Sequence, residues 1–156
     1  MQLHLELRER MEQECQGVPF HDLKHASDNL SACYRAETRP HSGGKLRPLA
    51  YAVTRMPATI AAIHAVLGEL TVRLPSLSAP SSILDLGAGT GASWWALPDS
   101  WRGATVRMIE SDQSMLALGR TLTPGASWEH GDLRTRRDPS DVVLLSYSLK
   151  ESGADV

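Results

Sequence analysis

Cysteine is nearly missing from this chain. Cys15 and Cys33 are the only two in 156 residues and stand far apart without C-x-x-C spacing. That rules out a disulfide scaffold, leaves no metal site built from cysteines, and points to a reduced intracellular setting. Charge of one sign is also missing: 16 Lys and Arg against 18 Asp and Glu give a net charge of −2, which excludes a wholesale polybasic protein. No apolar run approaches a membrane span, and Met1 to Glu6 carries acid where a secretory or mitochondrial leader would carry basic residues. The six His are scattered. A cytoplasmic, bacterial chain with no membrane contact is the expectation, and its length suffices for one hydrophobic core.

What is present is concentrated in Ile83-Leu84-Asp85-Leu86-Gly87-Ala88-Gly89-Thr90-Gly91. An apolar strand running into an acid and three alternating glycines presses a nucleotide-like ligand against backbone, because glycine alone takes positive φ and lets a ligand approach without a Cβ. On the glycines alone two readings compete, since Gly87, Gly89 and Ala92 also satisfy the G-x-G-x-x-G/A dinucleotide fingerprint. Asp85 discriminates. A pyrophosphate is repelled by an anion two positions before the first glycine, whereas S-adenosylmethionine, with a sulfonium and an ammonium and no phosphate, matches it. The D-x-G-x-G-x-G pattern resembles the first motif of class I methyltransferases.

The spacing downstream agrees. Thr105 to Ile109 reads as a second strand and delivers Glu110 about twenty residues past the turn, where doubly wound folds place an acid on the ribose hydroxyls. Ser111 or Asp112 then caps a helix from Gln113 to Leu122. Ser127 to His130 reads as a short third strand ending at Gly131-Asp132-Leu133, where Asp132 reaches the adenine amino group and Leu133 lies against the ring. Asp141 to Ser146 is a continuous apolar run of the kind a parallel sheet buries on both faces. Its end, Ser146 to Glu151, lacks the N/D-P-P-Y/F signature of enzymes that methylate exocyclic amines and offers no cysteine nucleophile. Ser146 joins the cofactor set with Asp85, Gly87, Ala88, Gly89, Gly91, Glu110, Asp132 and Leu133. No catalytic residue is assigned; Tyr147 and Glu151 are as readily a packing residue and a solvated acid.

Residues 1–75 are helical in period, with apolar positions recurring over Leu3 to Cys15, over His21 to Tyr34, and after Pro57 at Ile60, Ile63, Val66, Leu67, Leu70 and Leu74. Pro57 suits a first helical turn. Thr38 to Arg47 reads as a loop, because Pro40 and Gly43-Gly44 interrupt regular structure. The window around it holds Arg35, Arg39, Lys45, Arg47 and Arg55 against the single acid Glu37. Such a loop is either a grip on RNA phosphates or a solvated connector. A linker from Pro75 to Ser82 leads into the sheet region, residues 81–156.

Several segments together, Leu30-Ser31, Tyr34-Arg35, Tyr51, Arg55-Met56-Pro57-Ala58-Thr59, the glycine turn, Ile109-Glu110 and Ser146-Tyr147, resemble the Rsm-twenty-two family, methyltransferase-like proteins of the mitochondrial small ribosomal subunit and their bacterial relatives. The R-x-P-A-T segment is the specific part, absent from class I methyltransferases in general. The resemblance implies S-adenosylmethionine binding, association with the small ribosomal subunit or its ribosomal RNA during assembly, and a role in translation. It implies an α/β Rossmann-like sheet of which this chain carries the first four strands, order 3-2-1-4, after an N-terminal helical extension. Family members continue with later strands and a cysteine cluster for an iron–sulfur centre or another metal; none of that cluster occurs in this sequence. The chain is therefore expected to be a shortened family member, with its fourth strand at a sheet edge. A methyltransferase and a non-catalytic assembly factor that keeps a cofactor pocket both fit, and an NAD-dependent oxidoreductase is the weaker alternative.

Overall fold

The apolar runs of the second half pair side by side. In the computed structural model, which describes residues 4–36, 44–77, 79–136 and 138–148, β1 (Ser82–Leu86), β2 (Thr105–Glu110), β3 (Ser127–His130) and β4 (Val142–Leu144) form one parallel sheet in the order β3-β2-β1-β4. Ile83 stands beside Val106 and Asp85 beside Met108, while on its other side β1 sets Asp85 against Leu144. β1 and β2 are central, and Ile83, Leu84, Val106, Met108 and Ile109 are buried. This is why both strands read as largely apolar rather than strictly alternating, interrupted at Asp85 in β1 and at Arg107 in β2.

β4 lies at the edge, as expected, but it is shorter and barer than its sequence implies. Only three residues pair, and Val143 and Leu145 are 44% and 38% exposed instead of covered on both faces. Two local effects bound the strand. At its start the Asp141 carboxylate accepts the backbone N–H groups of Ser81 and Ser82 at 2.7 and 3.0 Å, clamping β4 to the entry of β1. Beyond its end the chain turns away through Tyr147, the one non-glycine residue with positive φ (65°) among the described residues.

Among the described residues six α-helices accompany the sheet: α1 (Leu5–Glu14), α2 (Phe20–Arg35), α3 (Leu46–Thr54), α4 (Met56–Arg73), α5 (Ala92–Ala96) and α6 (Gln113–Leu122). Among the described residues no single helix is long and apolar enough to cross a membrane. α3 corrects the sequence reading, which runs the loop through Arg47. Gly44 (φ 55°) ends the turn and Leu46 already opens a helix that tolerates Pro48 in its first turn. Nine residues are too few for a helical period to declare itself. The stripe expected after Pro57 divides: Ile60, Ile63 and Leu67 are buried, whereas Val66 and Leu74 are 59% and 44% exposed.

The helical region 1–75 and the sheet region 81–156 share a single buried cluster. It runs from Leu7 and Met11 of α1 through Ala52, Met56 and Ile60 to Ile83, Met108 and Leu122. On the far flank of the sheet the Trp128 indole of β3 lies flat on Gly119 of α6, and its Nε1 donates to Thr123 Oγ1 at 3.0 Å. A Cβ at Gly119 would stand 2.3 Å from Trp128 Cη2, while at Gly68 on α4 it would meet nothing within 4 Å. The two helical glycines should therefore respond oppositely to the same change. Gly119→Ala is expected to destabilise by about 1–3 kcal/mol through overpacking, and Gly68→Ala to stabilise by roughly 1 kcal/mol through helix propensity. Thermal melts of both variants check this; a stabilised Gly119→Ala would show that Trp128 does not rest on the helix.

Candidate functional site

The site begins where β1 runs out of apolar residues. Asp85 is buried to 1% exposure beneath the turn, and its Oδ2 accepts the Ser93 hydroxyl from α5. Its Oδ1 is buried with no hydrogen-bond partner. Burial pushes this carboxyl up to about 6, opposed by the Ser93 hydrogen bond and reinforced by the negative charge of Glu110. Past it, Gly87 (φ 76°) is packed so closely that a Cβ would lie 2.5 Å from Ser148 Cβ, and Gly91 (φ 89°) would press one to 2.7 Å from Thr123 Cγ2. Neither position has room for another residue.

Four of the turn's five N–H groups are taken up inside the protein. Gly87 and Ala88 both donate to the Ile109 carbonyl at 2.9 and 3.0 Å, and Gly91 donates to Ala88. Gly89 donates to Glu110 Oε2 at 2.7 Å, and the other oxygen of Glu110 accepts the Asp112 N–H at 2.7 Å. Asp112 in turn caps α6 by accepting from the Ser114 and Met115 N–H groups, and pairs with Arg47 of α3. Burial alone would raise the Asp112 carboxyl, but Ser114, Met115 and Arg47 outweigh it and hold it below the usual carboxylate range.

Above this network lies a cavity of about 240 Å³, walled by Gly87, Gly89, Glu110 and Ser146 together with Arg47, Asp112 and the tyrosines Tyr34, Tyr51 and Tyr147. Four residues expected from sequence thus line one space. Ala88 and Gly91 shape the turn behind it, and Leu133 packs toward Gly87, its Cδ2 3.4 Å from where a Cβ would stand. Asp132 does not join them: it caps the short turn Leu133–Thr135 and is held by the Arg134 guanidinium at 2.9 Å.

The description "Mitochondrial small ribosomal subunit Rsm22" matches residues 45–154, most of the chain. The chain belongs to this family. Among curated relatives, the human mitochondrial ribosome assembly protein METTL17 is 30% identical over 118 residues, covering 66% of this chain and 25% of METTL17. A trans-aconitate 2-methyltransferase of Azoarcus sp. is 32% identical over 77 residues, covering 49% of this chain and 30% of that one. The chain spans about a quarter to a third of the length of these relatives. Among solved structures, the plantazolicin methyltransferase BpumL, in complex with a monoazolic desmethylPZN analog and SAH, superposes with a TM-score of 0.53 at 14% identity, covering 89% of this chain and 49% of BpumL. That likeness establishes the Rossmann-like α/β fold.

Within this Rsm22 chain the five expected loop cations do not share a loop. Arg35 closes α2, Lys45 stands exposed before α3, Arg55 joins α3 to α4, and Arg39 lies outside the described residues, as does Glu151. Arg47 is corrected most sharply. It is inside α3 with a side chain 15% exposed, bonded to Asp112 and, at 3.2 Å, to Ser114 Oγ, so it serves the cavity wall and not a phosphate strand. Sequence reading missed Arg47, Tyr51 and Ser148 as wall residues, because their proximity to the turn arises only when α3 and the segment after β4 fold over it. Ser148 Oγ donates to the Leu86 carbonyl at 2.6 Å.

The buried Asp85 makes stability depend on pH with a defined sign. Its folded pKa, about 6, stands above its unfolded value, so folded chain binds the proton more tightly and stability falls as pH rises from about 4 through 6. Asp85→Asn keeps an acceptor for Ser93 and removes the charge. In urea unfolding the variant should be more stable than the parent at pH 7.5, by about 1–3 kcal/mol, and the two should converge below pH 4. A gap of the opposite sign at pH 7.5 would mean that Asp85 is ionised at no cost.

Proposed function

We propose that the cavity over the glycine turn binds S-adenosylmethionine and that the chain acts, as a methyltransferase-like protein, on the small ribosomal subunit or its RNA. One observation carries the cofactor part: the N–H groups of Gly87, Ala88, Gly89 and Gly91 are already donated to Ile109, Glu110 or Ala88, and the nearby side chains Asp85, Glu110 and Asp112 are acidic. A polyphosphate finds four of the five turn amides already engaged and acidic side chains beside them, and α5, only five residues long, adds little helix-end field. A ligand with cationic groups and ribose hydroxyls is favoured by the same features, and the unpartnered Asp85 Oδ1 supports a positive or N–H-bearing group near the turn. The dinucleotide alternative loses ground accordingly.

Bound S-adenosylmethionine supplies an electrophilic methyl group. The chain's residues supply the holding: Glu110 for the ribose hydroxyls, Gly87 and Gly89 for close backbone approach, Leu133 for the face of the adenine, and Asp132, once released from Arg134, for its amino group. Positioning of this kind supplies most of the acceleration in an in-line transfer. For the target, family membership and the human ribosome assembly relative favour the small subunit, and the exposed Arg35, Lys45 and Arg55 are the cations offered to RNA phosphates. That the human relative METTL17 is a ribosome assembly protein also favours a second reading, an assembly factor that binds the cofactor without transferring its methyl group. Tritium transfer from labelled S-adenosylmethionine to small-subunit particles separates the two: label on the RNA supports the enzyme, and cofactor binding without label supports the assembly factor.

Calorimetry tests the cofactor assignment itself. S-adenosylhomocysteine should bind tighter than NAD, and Glu110→Gln should weaken it by about 1.5–3 kcal/mol, roughly ten- to a hundredfold in Kd. Tighter binding of NAD would overturn the assignment.

A further inference from the structure

All three tyrosines of the chain converge on one place. Tyr34 comes from the last turn of α2, Tyr51 from α3 and Tyr147 from the segment after β4, and together they separate the cofactor cavity from a second one of about 290 Å³. The remaining walls of the second cavity are Arg55, Ala58 and Thr59, three of the five residues of the R-x-P-A-T segment that singled out the family in sequence. Among the described residues no acidic side chain lines it, in contrast with the Glu110 and Asp112 of its neighbour.

Each wall has a distinct chemistry. Tyr34 and Tyr147 are 52% and 76% exposed, so their rings flank an open mouth at the surface. Tyr147 holds its place with a φ of 65°, a backbone conformation that costs a non-glycine residue energy and clusters at functional sites. Tyr51 is half-buried; burial raises its phenol, opposed by a side-chain hydrogen bond with Thr59, so it stays a neutral flat surface. Arg55 lies 5.6 Å from the Tyr34 ring centroid and donates to Ser31 Oγ at 2.8 Å. Both partners are neutral, and among the described residues Arg55 makes no ion pair, so its charge is not neutralised in place. Aromatic faces with one uncompensated guanidinium suit a ligand that joins a flat ring to an anion.

We propose that this second cavity takes an unpaired nucleotide of RNA, its base against the tyrosine rings and its phosphate at Arg55. The proposal deepens the functional reading above and rests on it, because the shared tyrosine wall puts the base beside the cofactor cavity. Single-stranded RNA is preferred to duplex because a base stacked in a helix must leave it to enter the cavity between the tyrosine rings.

The test uses fluorescence anisotropy with an end-labelled, unstructured oligoribonucleotide, a matching strand of the same length whose central nucleotides are abasic, and a free nucleoside monophosphate as competitor. The parent chain should prefer the base-bearing strand by about 5- to 150-fold, the worth of one base stacked on an aromatic ring. Tyr34→Ala should erase most of that preference and Tyr34→Phe keep it. Arg55→Gln should weaken both strands and lower the salt slope by about 0.7, one phosphate contact on a single strand. Equal affinity for the two strands, or a Tyr34→Ala variant that still discriminates, would overturn the proposal. A monophosphate that competes as well as the oligonucleotide would overturn the assignment to RNA and leave a small-molecule site. S-adenosylhomocysteine calorimetry on the same preparation keeps the failures apart: loss of cofactor binding with base discrimination intact counts against the cofactor reading alone.

Discussion

One carboxylate organises the site. Glu110, at the end of β2, accepts the Gly89 N–H with one oxygen and the Asp112 N–H with the other, and so joins the glycine turn after β1 to the cap of α6. From Asp112 the chain of contacts passes to Arg47 and therefore to α3, which carries Tyr51 against the turn. Charge-assisted bonds of this kind are about twice as strong as neutral ones, and a partly buried set tolerates no missing member. The consequence is directional. Once these turn donors face inward toward Ile109 and Glu110, the turn itself offers the cavity mainly glycine backbone flanked by Glu110 and Asp112, which suits the proposed cofactor better than a polyphosphate.

Burial beneath the turn adds a second constraint. Asp85 sits in the sheet centre between Met108 and Leu144, where apolar neighbours oppose its charge, and only Ser93 offsets the cost. An aliphatic residue would serve the sheet better. Retaining a carboxylate there sacrifices stability for a charge near the ligand, a balance common at functional sites.

The sheet was legible because its evidence is local. Largely apolar runs mark β1, β2 and β4, the short polar β3 follows from its place in the strand order, and Asp112 followed by Met115, Leu116 and Leu118 marks α6 to the residue at both ends. The edge position of β4 followed from counting strands. The site was legible only along the chain: Gly87, Gly89, Glu110 and Ser146 announce themselves by spacing, whereas Arg47 and Tyr51 do not. α3 hid behind Gly43-Gly44 and Pro48, signals that mean loop unless a tertiary partner overrides them, and here Leu49, Ala50 and Ala52 are drawn into the core. Arg47 illustrates the physical limit, since a cation looks the same in sequence whether it meets solvent, a phosphate or Asp112 some sixty-five positions away.

The central claim is that the acid-lined turn is a seat for S-adenosylmethionine, and amide resonances read it residue by residue. In a nitrogen–proton correlation spectrum of the labelled chain titrated with S-adenosylhomocysteine, the account predicts saturable shifts at Gly87, Gly89, Glu110 and Asp112, with little change along β3 or the exposed face of α4. Saturation with no movement at Gly89 or Asp112, or shifts gathered on a different face of the sheet, would contradict it.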